Sequence, residues 1–299
     1  RKTSTPLRDN TARSHMKRIA LLILVSAVLL PAQPRRIAGP RQASSVPRKT
    51  ASFQEAAARP KSALVDPFDR VFADVLAGGG WETLMTFVNM SNAPAHFTLT
   101  FYDDNGNPVT VPLTNPDGSV SRFAAVNFSM DGNTSQELVV ANVDNGVNFA
   151  WAYLSFPGNT APIAGMAVVR TYDSSGNIFS ETTEALSNIQ DYDFFAPYDN
   201  LQGVATGLIV LNPGASLTAT VRISAQDANG NELVRDGFLL APGARATIML
   251  PDAYKVLAGT SGKLRVTGDT NRLSAIVFRI SPAGNMAYSP IFNWSGMFQ

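Results

Sequence analysis

From Asp66 onward the chain is written in short runs of alternating apolar and polar residues, broken by Gly, Asn, Asp and Pro about every ten positions. This is the pattern of an all-β protein built from short antiparallel strands. In AHFTLTFY (95–102), Ala95, Phe97, Leu99 and Phe101 fall on one face and His96, Thr98, Thr100 and Tyr102 on the other, which predicts a strand with one buried and one polar face. In TATVRISAQ (218–226), Ala219, Val221, Ile223 and Ala225 alternate in the same way with Thr220, Arg222, Ser224 and Gln226. Long helical periodicity is missing. The one helical turn expected is LPDAYKVLAG (250–259), with Asp252 as its N-cap and Gly259 as its stop.

The second half repeats the first. GWETLMTFVN (80–89) lies on GVATGLIVLN (203–212), matching Gly80 with Gly203, Thr83 with Thr206 and Asn89 with Asn212 at an offset of 123. YDDNGNPV (102–109) returns as QDANGNEL (226–233) at an offset of 124. Farther on, GMAVVRTYDSSGN (165–177) resembles LSAIVFRISPAGN (273–285), with Arg170 placed on Arg279. The first copy carries about 15 more residues, in or near 113–136. Two copies of a unit near 110 residues, each with about seven strand candidates, predict tandem antiparallel sandwiches of the immunoglobulin-like kind, at 67–190 and 191–299.

The repeated Asp-X-Asn-Gly-Asn reads as a hairpin turn of type I′, in which Asn and Gly supply positive φ at both central positions. An EF-hand-like calcium loop would need a bidentate Glu at its twelfth position. Counting from Asp103 that position is Thr114, and from Asp227 it is Phe238, so neither loop closes a calcium shell.

Charge and composition divide the chain. Residues 1–65 hold 13 Lys and Arg against Asp9 and Glu55, which leaves the body from Asp66 onward at about −10, a balance that argues against nucleic-acid binding. MKRIALLILVSAVLLPAQ, from Met16, has a basic start, an apolar run and small residues near Ala32, the layout of a secretory signal peptide (16–32). Its apolar run of about 12 residues falls short of the roughly 18 needed to span a bilayer. Residues 1–15 carry no pattern, and 33–66, rich in Pro, Arg, Ala and Ser, are expected to be a disordered basic linker. With no cysteine there is no disulfide, thiolate zinc site, cysteine nucleophile or lipobox, which suits a bacterial export route ending in the periplasm, at the cell surface or in the medium.

No catalytic set assembles. His96, the body's one histidine, falls on the polar side of its strand, and no G-x-S-x-G, P-loop or Rossmann glycine pattern is present. Trp151 shares parity with Val147, Phe149 and Tyr153 and reads as packing; Trp81 and Trp294 are the candidates for stacking on a sugar.

The stretches GGGWETLMTFVNMSNAPAHFTLTFYDDNGNPV, LAPGARATIMLPDAYKVLAG and GKLRVTGDTNRLSAIVFRISPAGN resemble a group of uncharacterised secreted proteins from soil-dwelling bacteria, over roughly residues 72–290. The resemblance implies tandem β-sandwiches on an exported chain and brings no catalytic or binding residue with it. The expectation is a non-enzymatic exported protein acting in adhesion, matrix structure or protein contact, without catalytic, cofactor or metal residues. Its partners would be extracellular protein or polysaccharide, with no nucleic acid and no transmembrane span after signal cleavage. A carbohydrate-binding module is the alternative and a hydrolase a distant third.

Overall fold

Strand alternation becomes, in three dimensions, four antiparallel sheets. The computed structural model describes residues 53–58, 70–156, 163–188, 192–214, 216–269 and 273–293. The expected leader, signal peptide and most of the linker lie outside these residues. In chain order come β1 (Phe53–Glu55), β2 (Arg70–Ala77), β3 (Trp81–Asn89), β4 (Ala95–Tyr102), β5 (Val111–Thr114), β6 (Val120–Phe123), β7 (Ala125–Met130), β8 (Ser135–Val140), β9 (Asn148–Ser155), β10 (Ile163–Tyr172), β11 (Ile178–Ala185) and β12 (Ser187–Asn188). They form two sheets, ordered β1-β7-β4-β9-β2-β12 and β11-β10-β3-β8-β5-β6. Then follow β13 (Asp193–Asp199), β14 (Ala205–Leu211), β15 (Ala219–Asp227), β16 (Glu232–Leu240), β17 (Arg245–Met249), the helical turn α1 (Leu250–Ala253), β18 (Ser261–Gly268), β19 (Ser274–Ile280), β20 (Met286–Ser289) and β21 (Phe292–Asn293). These give sheets β16-β15-β18-β13-β21 and β17-β14-β19-β20.

The inward residues of each sheet pair make one core. Phe72, Phe87, Phe97 and Phe128 lie at the centre of the first, with the rings of Phe97 and Phe128 stacked at 4.9 Å. Leu208, Val210, Val221, Ile223, Val277 and Tyr198 fill the second. The protein is thus a pair of tandem antiparallel β-sandwiches, as the alternation implied.

Both sandwiches have one topology: β7-β4-β9-β2-β12 corresponds to β16-β15-β18-β13-β21, and β8-β3-β10-β11 to β17-β14-β19-β20. The first adds the hairpin β5–β6, which extends the sheet beyond β8 and accounts for most of the extra length. Matched residues do matched work. The Thr83 hydroxyl donates to the Leu76 carbonyl (2.8 Å) and accepts from its N–H (3.0 Å), and Thr206 does the same with Asp199 (2.8 and 2.9 Å). The Asn89 amide donates to Ala93 and Asp131 carbonyls, and that of Asn212 to Leu217 and Leu240 carbonyls, each closing a loop onto its sandwich.

Five details differ from expectation. Arg170 and Arg279 are not equivalent: Thr83 opposes Val169 while Thr206 opposes Arg279, so the match by identity is one residue out of register and equates two arginines that lie on opposite faces. The repeated turn is not type I′. Of Asn105 and Gly106 only the glycine has positive φ (72°), and the same holds for Gly230 (85°) in the second copy. Asp103 Oδ1 accepts the N–H groups of Asn105 and Asn107, and Asp227 does the same for Asn229 and Asn231, so the aspartate side chain organises the turn. Asp173 in DSSGN makes the same pair of bonds, so this third turn belongs with them.

Phe53–Glu55, inside the stretch expected to be a disordered linker, pairs with β7, because the Phe53 ring packs on Phe123 and Phe128 (5.8 and 6.2 Å). Asp252 sits within the first turn of α1, whose N-cap is Met249. Thr100 and Tyr102, placed by alternation on a polar face, are buried. Tyr102 belongs to a third apolar cluster, which lies between the sandwiches.

Candidate functional site

The third cluster forms because one face of β9 is apolar where an ordinary outer face would be polar. Val147, Phe149, Trp151 and Tyr153 share that face. With Val71 and Leu76 of β2 they pack against Ile209 and Leu211 of β14 and Ile276 and Phe278 of β19. Trp151 is 2% exposed; its ring stacks on Tyr102 at 4.5 Å and its Nε1–H donates to the Asp103 carbonyl (3.1 Å). Its expected parity therefore holds, but it packs between the two sandwiches and not between the sheets of one. Burial of a large apolar side chain contributes about 1.5–3 kcal/mol, so this cluster is a substantial joint.

A polar junction is set into that joint. β2 is bulged: Phe72 opposes Ala152, but the next pair is Val75 with Ala150, so Ala73 and Asp74 leave the ladder with β9. Their freed N–H groups donate to Glu184 of β11, at 2.6 Å to Oε1 and 3.2 Å to Oε2. Arg245 enters from the second sandwich. Its Nη1 donates to the carbonyls of Ala73 (3.0 Å) and Ala150 (2.8 Å) and to Asp74 Oδ1 (3.2 Å), and its Nε to Asp104 Oδ1 (2.8 Å). The Arg245 backbone N–H donates to the Asp104 carbonyl (2.9 Å). Tyr288 donates its hydroxyl to Asp74 Oδ2 (2.8 Å) and its N–H to Thr182 Oγ1 (2.8 Å), and Ser180 bonds both the N–H and the carbonyl of Met286. The edges of β11 and β20 are stitched together in this way.

Removal from water dominates the acid–base behaviour. Burial pushes the Asp74 carboxyl up from its ordinary value against the opposing pull of Arg245 and Tyr288. It pushes Glu184 well above the usual carboxylate range, against its two backbone N–H bonds. The Tyr288 phenol is raised by burial and by the neighbouring Asp74 and Glu184. These groups look like the perturbed set of an active site, but each faces a partner in the other lobe or a freed backbone group. Asp74, Glu184 and Arg245 are all at most 6% exposed, which leaves a substrate no access to them.

Beside the junction lies a shallow cleft of about 310 Å³, lined by Val111, Ala150, Asp103, Asp104 and Asn148 among others. Both Asp103 oxygens accept bonds from its own turn, and Asp104 is held by Arg245. Among the described residues no group of three or more His, Asp or Glu is disposed to hold a metal. His96 is exposed on the outer side of β4, as expected. Trp81 packs, half-buried, against the joint, and Trp294 lies outside the described residues.

Sequence reading missed Asp74, Glu184 and Arg245. Asp74 did leave a signal, as a lone acid within the apolar run VFADVLA. Arg245 and Asp104 could not emerge from the repeat, because Ala228 stands where the second copy's counterpart of Asp104 would be.

No family model matches the chain, and no curated protein does. Among solved structures, the B domain of a biofilm-associated protein is similar at 9% identity and a TM-score of 0.22, over 82% of this chain and 86% of that one. A likeness of that size carries no argument.

Proposed function

We propose that the protein is exported and non-enzymatic, and that its folded body works by surface contact, in adhesion, matrix structure or protein binding. One observation carries this reading: the buried groups with the most perturbed acid–base behaviour, which would be the natural candidates for chemistry, are engaged in holding the fold together. Asp74, Arg245 and Tyr288 form a closed set across the joint, and Glu184 ties β11 to the bulge of β2. With these groups taken up inside the fold, the outer faces of the two lobes are left to make contacts. The signal-peptide pattern from Met16 supports export. The carbohydrate reading is weaker than at the outset, since Trp81 turns to the joint.

The test is retention of the full chain on the surface of the producing cells and on their extracellular matrix. Saturable retention that survives Glu184→Gln supports the reading. A catalytic turnover that disappears in Glu184→Gln or Asp74→Asn, with folding unchanged, overturns it.

A further inference from the structure

Duplication provides a comparison inside the chain, because each face used in the joint has a counterpart that takes no part in a joint among the described residues. The donor flank of the first sandwich is formed by β2 and β9, with Val71, Trp151 and Tyr153 outward. Its counterpart in the second is formed by β13 and β18. Tyr153 opposes Thr100 and Val71 as Arg265 opposes Ser224 and Phe195, and Trp151 opposes Tyr102 as Lys263 opposes Gln226. Val, Trp and Tyr have thus become Phe195, Lys263 and Arg265. Arg222 and Lys263 are exposed, and Lys263 and Arg265 lie 5.8 and 5.1 Å from the Phe195 ring centre. Phe292, paired with Phe195, is 50% exposed. Asp193 pairs with Arg265 and Asp269 lies near Arg222, which leaves this flank modestly positive on an acidic body.

The receiving face behaves in the opposite sense. In the second sandwich Ile209, between Ile276 and Thr247, is buried in the joint; its counterpart Thr86 lies between Met166 and Glu137. Met286 opposes Ile280, whereas in the first copy Glu181 opposes Arg170. The outward face of β3 and β10 therefore carries Glu137 and Glu181, with Arg170 paired to Glu181 and to the largely buried Glu82, and beside them Met166 is 43% and Val88 38% exposed.

We propose that the β13–β18 flank of one copy docks on the β3–β10 face of a second copy, head to tail. The two surfaces are opposite in charge, each exposes apolar side chains, and they are the counterparts of the pair that already meets within the chain. The edges of β11 and β20 are engaged with each other inside each copy, so the contact between copies rests on the faces alone and is weaker than the internal joint. Different patches meet, so the association is heterologous and does not close at a dimer. This deepens the contact reading above by naming one partner.

Sedimentation of the full chain over a wide concentration range tests it, with two variants whose melting is first shown to be unchanged. Average mass should rise with concentration without levelling at a dimer. Arg222→Glu/Lys263→Glu alone and Glu137→Lys/Glu181→Lys alone should each weaken association about tenfold or more, and their equimolar mixture should restore it. A chain that stays monomeric throughout overturns the proposal. So does a plateau at dimer, or loss confined to the first variant, which points to another acidic partner. Monomeric protein that still binds the cell surface would leave the contact reading standing.

Discussion

Arg245 and Asp74 stand 171 positions apart in the chain and meet at 3.2 Å with side chains only 1% and 5% exposed. A guanidinium in that position is tolerated because four acceptors surround it. Replacing it with alanine strands Asp74 and two carbonyls in an apolar setting. Arg245→Ala should therefore lower stability by about 3–5 kcal/mol. Urea unfolding followed by tryptophan fluorescence should show it, and a separate early transition should appear as the lobes part.

The two buried carboxyls set a pH dependence. Glu184 and Asp74 have folded-state values raised above their ordinary 4.5 and 3.8. The folded state thus holds protons that the unfolded chain has released, and stability falls as pH rises. Their contribution is fully present below about pH 4 and is lost as pH rises through the raised values. Urea midpoints measured from acid to neutral pH should decline more steeply for the wild type than for Glu184→Gln, which has no proton to lose.

The repeated turn contains its own control. Gly106 and Gly230 both have positive φ, but a Cβ on Gly106 would meet the Gly243 carbonyl oxygen at 2.4 Å, while one on Gly230 would meet nothing within 4 Å. Gly230→Ala should cost about 1–2 kcal/mol through backbone strain alone. Gly106→Ala should cost clearly more and loosen the joint. Thermal melts of the two single variants decide this.

Thr83 and Thr206 offer a second matched pair. A valine at either site removes a hydroxyl that serves one N–H and one carbonyl. The Leu76 groups are buried and those of Asp199 partly so, which should make Thr83→Val the costlier change, with both near 1–3 kcal/mol. Denaturant midpoints should rank them in that order.

What the sequence disclosed follows from which faces are wet. Ala219 to Gln226 alternates cleanly because one side of β15 is core and the other is solvent. The same alternation misled at Thr100 and Tyr102, since the dry side of a second lobe writes no periodic signature on the strand that it covers. Arg170 was set on Arg279 because the first hairpin has two more residues between the paired strand and its Gly-Asn turn, and identity split the difference. The joint itself was out of reach, because Asp74 owes its place to a bulge that has no counterpart in β13.

That bulge and the apolar flank beside it have a consequence for synthesis. The first lobe leaves the ribosome complete through Asn188 with Trp151, Tyr153 and Val71 uncovered, and the last part of their cover, Phe278 and Met286, comes roughly a hundred residues later. Until then the nascent chain carries an apolar side open to association with a neighbouring nascent chain. Each half of this protein carries a side that only the other half covers.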